Sequence, residues 1–276
     1  MANKSDNKKD EKVEMGFLDH LEELRWVMVR SAIAVVVCAV IAFVFSGFIF
    51  DNLILAPKSP EFFTNRILCA LADRLGSSNL CINSSPLNII NINMAGQFNT
   101  HIMVSFYMGI ITAFPFIVMQ FWRFIKPALY EVERRRSRGA VFYVSALFVI
   151  GVLFGYYIIS PLTIHFLGGY SVSSEVTNQI NLGSYIASVV SVTLASGLLF
   201  ELPILIVFLT KAGLVTPSFL RKYRKHTFIL IMIVAAIITP PDVLSLLLVT
   251  FPLWLLFELS IVLSSRLYKR RKQSEE

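Results

Sequence analysis

Long apolar runs separated by short charged intervals set the architecture of this chain. Six stretches, near residues 27–50, 99–122, 140–160, 184–210, 227–239 and 243–264, carry almost no charge. A bilayer-crossing helix needs roughly 20 such residues, so the pattern predicts an all-α integral membrane protein with six transmembrane helices. The fifth is short: 227–239 would reach only ~20 Å at 1.5 Å per residue. Pro240 and Pro241 stop it, and Asp242 alone separates it from the sixth, where it suits the N-cap of that helix. Such a short hairpin needs a thinned bilayer or burial against neighbours. Ahead of the first span, Phe17, Leu21, Leu24 and Met28 recur at i, i+4, i+7 and i+11, an amphipathic helix running straight into the membrane.

Between the first two spans, residues 51–98 form the one sizeable loop. Ser59 suits an N-cap, Pro60 the first helical position and Gly76 the closing turn. Phe63, Ile67, Leu71 and Leu75 make one stripe, predicting a helix over the mouth of the bundle. Cys69 and Cys81 share this loop, and both a disulfide and two free thiols are compatible with the spacing. Pro115, Pro203 and Pro252 fall inside the second, fourth and sixth spans, where each removes a backbone hydrogen bond and bends its helix. The expected shape is kinked and concave. The whole chain, 1–276, reads as a single polytopic domain, with a flexible polar tail at 1–15 and a basic tail at 265–276.

Composition agrees: the chain is 55% apolar and 16% charged, against about 45–50% and about 25% in soluble domains. The net charge of +7 points to a membrane face rather than to nucleic acid. All Lys and Arg except Lys58, Arg66 and Arg74 fall on the side holding both termini, which by the positive-inside rule places both in the cytoplasm and residues 51–98 in the periplasm. The first apolar run is too long for a cleavable signal peptide.

Catalytic signatures are missing: there is no HExxH, no GxSxG and no glycine-rich phosphate loop. His20, His101, His165 and His226 are scattered, and three cysteines make no metal site by spacing. We therefore expect no enzyme, no cofactor and no metal. What stands out is carboxylates set into a basic surface. The segment 120–138 interleaves Phe121, Trp122, Phe124 and Tyr130 with Arg123, Lys126, Arg134, Arg135, Arg136 and Arg138. Glu133 directly precedes its arginine run, and Glu23 lies just before Arg25. A cationic ligand could dock only where a carboxylate reverses the local field, and guanidinium–carboxylate pairs add a geometric fork. The competing reading is two solvated ion pairs worth roughly 0–1 kcal/mol. Glu201 sits ~13 Å inside its span, where a carboxylate must face protein or water. It could make a structural hydrogen bond, or titrate in a proton-coupled secondary transporter.

Several motifs together resemble the TatC family, the multispanning receptor subunit of the twin-arginine protein translocase. They are FLDHLEELR (17–25), FPFIVMQFWRFIKPALYEVERR (114–135), FELP (200–203), LRKYRK (220–225), TPPDVLS (239–245) and FPLWLLFELS (251–260). The resemblance implies a receptor for the Arg-Arg pair of a folded cargo's signal peptide, recognised at Glu23 and Glu133 with His20, Arg25 and Phe124 in the same motifs. It further implies Glu201 as the family's intramembrane glutamate, and Pro57 and Asp242 as structural or partner-facing positions. Expected partners are the single-span subunits TatA and TatB, further copies of the chain itself, and membrane lipid, with export driven by the proton motive force from a bacterial inner membrane. Two departures stand out: the family commonly has arginine at the position of Val27 and glutamine at that of Leu246.

Overall fold

The computed structural model describes residues 17–76, 81–83, 87–125, 138–173, 175, 178–211, 213–239 and 241–275. Among these the long elements are all helical: α1 (Phe17–Val44), α2 (Phe63–Leu75), α3 (Gly96–Ile125), α4 (Arg138–Phe154), α5 (Ser160–Gly169), α6 (Leu182–Leu199), α7 (Leu202–Lys211), α8 (Pro217–Lys222), α9 (Arg224–Ile238) and α10 (Val243–Glu275). Two-residue strands β1 (Ile89–Ile90) and β2 (Ile180–Asn181) pair in parallel and tie the 51–98 loop to the start of α6. Five helical runs are long and apolar enough to cross a membrane: His20–Val44, Gly96–Ile125, Gly139–Gly169, Leu182–Lys211 and Ser245–Tyr268. At 15 residues, α9 reaches only ~22 Å and falls short of that length. Val36, Val37, Val40 and Ile41 on α1 are each more than half exposed, an apolar surface that only lipid covers at no cost.

The amphipathic segment and first span form one continuous helix, as the sequence predicts, but two members of its apolar stripe point outward. Leu21 and Met28 are exposed, whereas Val27, Ser31 and Ala42 are buried on the side packed against α3. Where Gly109 of α3 crosses α1, a Cβ would lie 2.8 Å from the Val35 carbonyl oxygen and 2.9 Å from the Ala39 nitrogen. Small residues allow such close approach of helices in a membrane, where packing replaces the hydrophobic effect.

The three prolines sit in different local settings. The helix continues through Pro115 and Pro252, while the fourth span does break, at Phe200–Glu201, just before Pro203. A break the sequence reading missed is the π-turn Gly155–Ile159, which precedes Pro161. Proline cannot donate to the carbonyl four residues back, here Tyr157, and the Thr64 hydroxyl from α2 donates to that oxygen instead.

The helix predicted in the 51–98 loop exists but starts three residues late. Phe62, not Ser59, precedes it without any side-chain cap; Ser59 accepts instead from the Glu61 N–H. Gly76 closes it at φ 64°, the left-handed position glycine occupies without strain. Cys69 and Cys81 form a disulfide. Helix α2 lies against the π-turn, with Phe62 stacked on Tyr157. Buried Asn65 donates to the carbonyls of Pro57 and Ser59, and Asn83 donates to Asn65 and to Pro161. Asp242 caps α10 as expected, accepting from the Ser245 N–H at 2.7 Å.

Gly109→Leu forces a side chain into backbone that cannot yield, at a cost of about 1–3 kcal/mol. The expected outcome is a lower thermal midpoint in detergent; an unchanged midpoint would contradict the described α1–α3 contact.

Candidate functional site

The antiparallel pair α1–α3 is clasped at both ends by a histidine lying flat on a phenylalanine. At one end Phe43 and His101 stack with ring centres 3.8 Å apart, and His101 Nε2 lies 3.1 Å from the Phe43 carbonyl oxygen. At the other, His20 stacks on Phe124 at 4.2 Å and 15° between planes. Two expected site residues, distant in sequence, thus meet where α1 begins and α3 ends. The reason is periodicity: Gly109, Ala113, Gln120 and Phe124 share one face of α3, and the first three are buried.

Glu23 stands three residues after His20 and four before buried Val27, hence on the α3-facing side of α1. It is half-buried, and its Oε2 is shielded from solvent without a hydrogen-bond partner among the described residues. The indole Nε1 of Trp122 is in the same condition. A shielded carboxylate oxygen favours a hydrogen-bond donor beside it. Arg25 is exposed and, five positions beyond His20, faces elsewhere on the helix. Glu133 lies outside the described residues, as do Arg134, Arg135 and Arg136. Gln120, 3% exposed, and Trp122 join this corner unanticipated as site residues; the Gly109–Ala113–Gln120–Phe124 stripe was the signal that could have found Gln120.

Other expected residues lie apart from this corner. Glu201 is at the α6–α7 break, half-buried, with Oε1 lacking a hydrogen-bond partner among the described residues. Helix interruption lets its carbonyl serve two amides of α7, those of Ile204 and Leu205. Pro57 is fully buried, and its carbonyl accepts from the Asn65 amide. Glu258 pairs with Arg224 at 2.5 Å. Val27 packs inward where the family commonly carries arginine, and Leu246 packs on the apolar core around Val249 and Leu253. Among the described residues no group of three or more His, Cys, Asp or Glu gathers as a metal site.

Residues 19–252 match the family model described as Sec-independent protein translocase protein (TatC). The chain is 39% identical to the Sec-independent protein translocase protein TatC of Blattabacterium sp. subsp. Periplaneta americana, covering 95% of this chain and all of that one. It is 31% identical to TatCy of Bacillus subtilis, covering 95% and 93%. A crystal structure of the twin arginine translocase receptor TatC in DDM superposes with a TM-score of 0.68 at 33% identity, over 89% of this chain and 99% of that one.

If the stack holds the corner, a double-mutant cycle of His20→Ala and Phe124→Ala should show coupling of about 0.5–1.5 kcal/mol in unfolding stability. Strict additivity would mean the rings do not meet.

Proposed function

The chain belongs to the TatC family of Sec-independent protein translocase proteins, and from that premise we propose that it is the signal-peptide receptor and core subunit of a twin-arginine translocase. In this reading six helices cross a bacterial cytoplasmic membrane, α9 being the short fifth, with both termini and the α3–α4 loop cytoplasmic. The observation that carries it is Glu23: a half-buried carboxylate, one turn from the His20–Phe124 stack, with an oxygen that has no hydrogen-bond partner among the described residues, at the start of α1 and beside the end of α3.

The surrounding cations repel a positive leader everywhere except at the acids. Glu23 and Glu133 each accept one guanidinium of the Arg-Arg pair, and the fork geometry of arginine excludes lysine from an equivalent fit. His20 and Phe124 fix the corner, while Arg25 holds the field around it positive. The apolar part of the leader then slides along a concave wall past Glu201. Asp242 keeps the short hairpin capped for the single-span partners TatA and TatB, further copies of the chain complete the working complex, and the proton motive force drives export of the folded cargo.

Glu23→Ala and Glu133→Ala, measured as binding of an Arg-Arg signal peptide to the reconstituted protein, should each lose about 1.5–3 kcal/mol, roughly ten- to over a hundredfold in Kd. Unchanged affinity in both would remove the docking site. Glu201→Gln is expected to leave that affinity intact and lower export; lost small-molecule uptake with normal export would favour a proton-coupled transporter instead.

A further inference from the structure

Helix α2 presents its apolar stripe in an unusual direction. Phe63, Ile67 and Leu71 are 64%, 43% and 43% exposed, while Asn65 and Ala72 on the opposite face are 0% and 3% exposed. The stripe is turned away from the protein that holds the helix. Four attachments keep it so: the disulfide to Cys81, the Asn65 and Asn83 amides, the Thr64 hydroxyl on the Tyr157 carbonyl, and the Phe62–Tyr157 stack. A 13-residue helix fastened this firmly does not roll its apolar side inward.

Its height along the bundle identifies what covers that side. The run from Gly139 to Tyr157, the residue α2 rests on, rises ~27 Å at 1.5 Å per residue, close to the ~30 Å of a hydrocarbon core. Along that run Ile150, Leu153 and Tyr157 share one exposed face, and Phe63 sits edge-on to the Tyr157 ring at 6.2 Å. The exposed stripe of α2 therefore continues a lipid-facing belt at the level where acyl chains give way to headgroups. Arg66 and Arg74 are exposed on the same helix, long side chains able to reach phosphate while their stems lie on apolar surface. The geometry points to α2 as an interfacial anchor: Phe63, Ile67 and Leu71 enter the acyl region of the leaflet at this end of the bundle, and Arg66 and Arg74 contact lipid phosphates. The helix then fixes the depth at which the bundle rides in the bilayer, independently of peptide docking at the other end.

A nitroxide placed at Ile67→Cys or Leu71→Cys, in full-length chain carrying Cys38→Ser and an intact Cys69–Cys81 bond, tests this in liposomes of phosphatidylethanolamine and phosphatidylglycerol. Collision with oxygen should exceed collision with a water-soluble nickel chelate by a ratio several-fold above that at exposed Glu61→Cys. A ratio equal to that at Glu61→Cys would place the stripe in water, and shielding from both reagents would mean that a second copy or another protein covers it; either result overturns the anchor. Ala70→Cys, exposed on the same side, gives the same reading where Ile67→Cys folds poorly.

Discussion

Close approach of α1 and α3 is the constraint on which the rest depends. At Gly109 the two backbones touch through space that no Cβ could share, and a His–Phe stack closes the pair at each end. In lipid the hydrophobic effect does not press helices together, so small-residue contact and directional side-chain pairing must do so. Once the two helices are locked antiparallel, the first turns of α1 lie beside the last turn of α3. A half-buried glutamate, a buried glutamine and an indole are thereby gathered at one corner.

The opposite end is held by hydrogen bonds that arise from a proline. Pro161 leaves the Tyr157 carbonyl without its helical donor, the helix widens to a π-turn there, and Thr64 takes the vacant acceptor. Asn83 reaches the Pro161 carbonyl itself and bridges to Asn65. Tyr156 and Tyr185 donate to the carbonyls of Leu53 and Ile54, so the chain leaving α1 is tied to the π-turn and to α6. One end is thus tied by amide and hydroxyl bonding, while at the other Glu23 Oε2 and Trp122 Nε1 have no hydrogen-bond partner among the described residues.

Helix periods, the short α9, the Asp242 cap and the left-handed Gly76 were all legible in the amino-acid sequence, because each follows from local chemistry. Which face of a helix turns inward was not. Leu21 and Met28 obey a helical period, yet the bundle buries Val27, Ser31 and the small residues of α3, since lipid accepts leucine and methionine as readily as a core does. The same inversion occurs on α2. Pro115 and Pro252 lie within continuous helices, whereas Pro161, unremarked in the sequence, follows a π-turn. Motif resemblance named both His20 and Phe124, and their rings stack. Pro57 is fully buried, and Glu133 lies outside the described residues.

The central claim is that helix pairing positions the Glu23 carboxylate to accept one arginine of a twin-arginine leader. A double-mutant cycle between Glu23→Gln in the reconstituted protein and single Arg→Gln changes in the leader measures that contact directly. The account predicts coupling of about 1.5–3 kcal/mol with one of the two arginines. Additive losses with both arginines would contradict it.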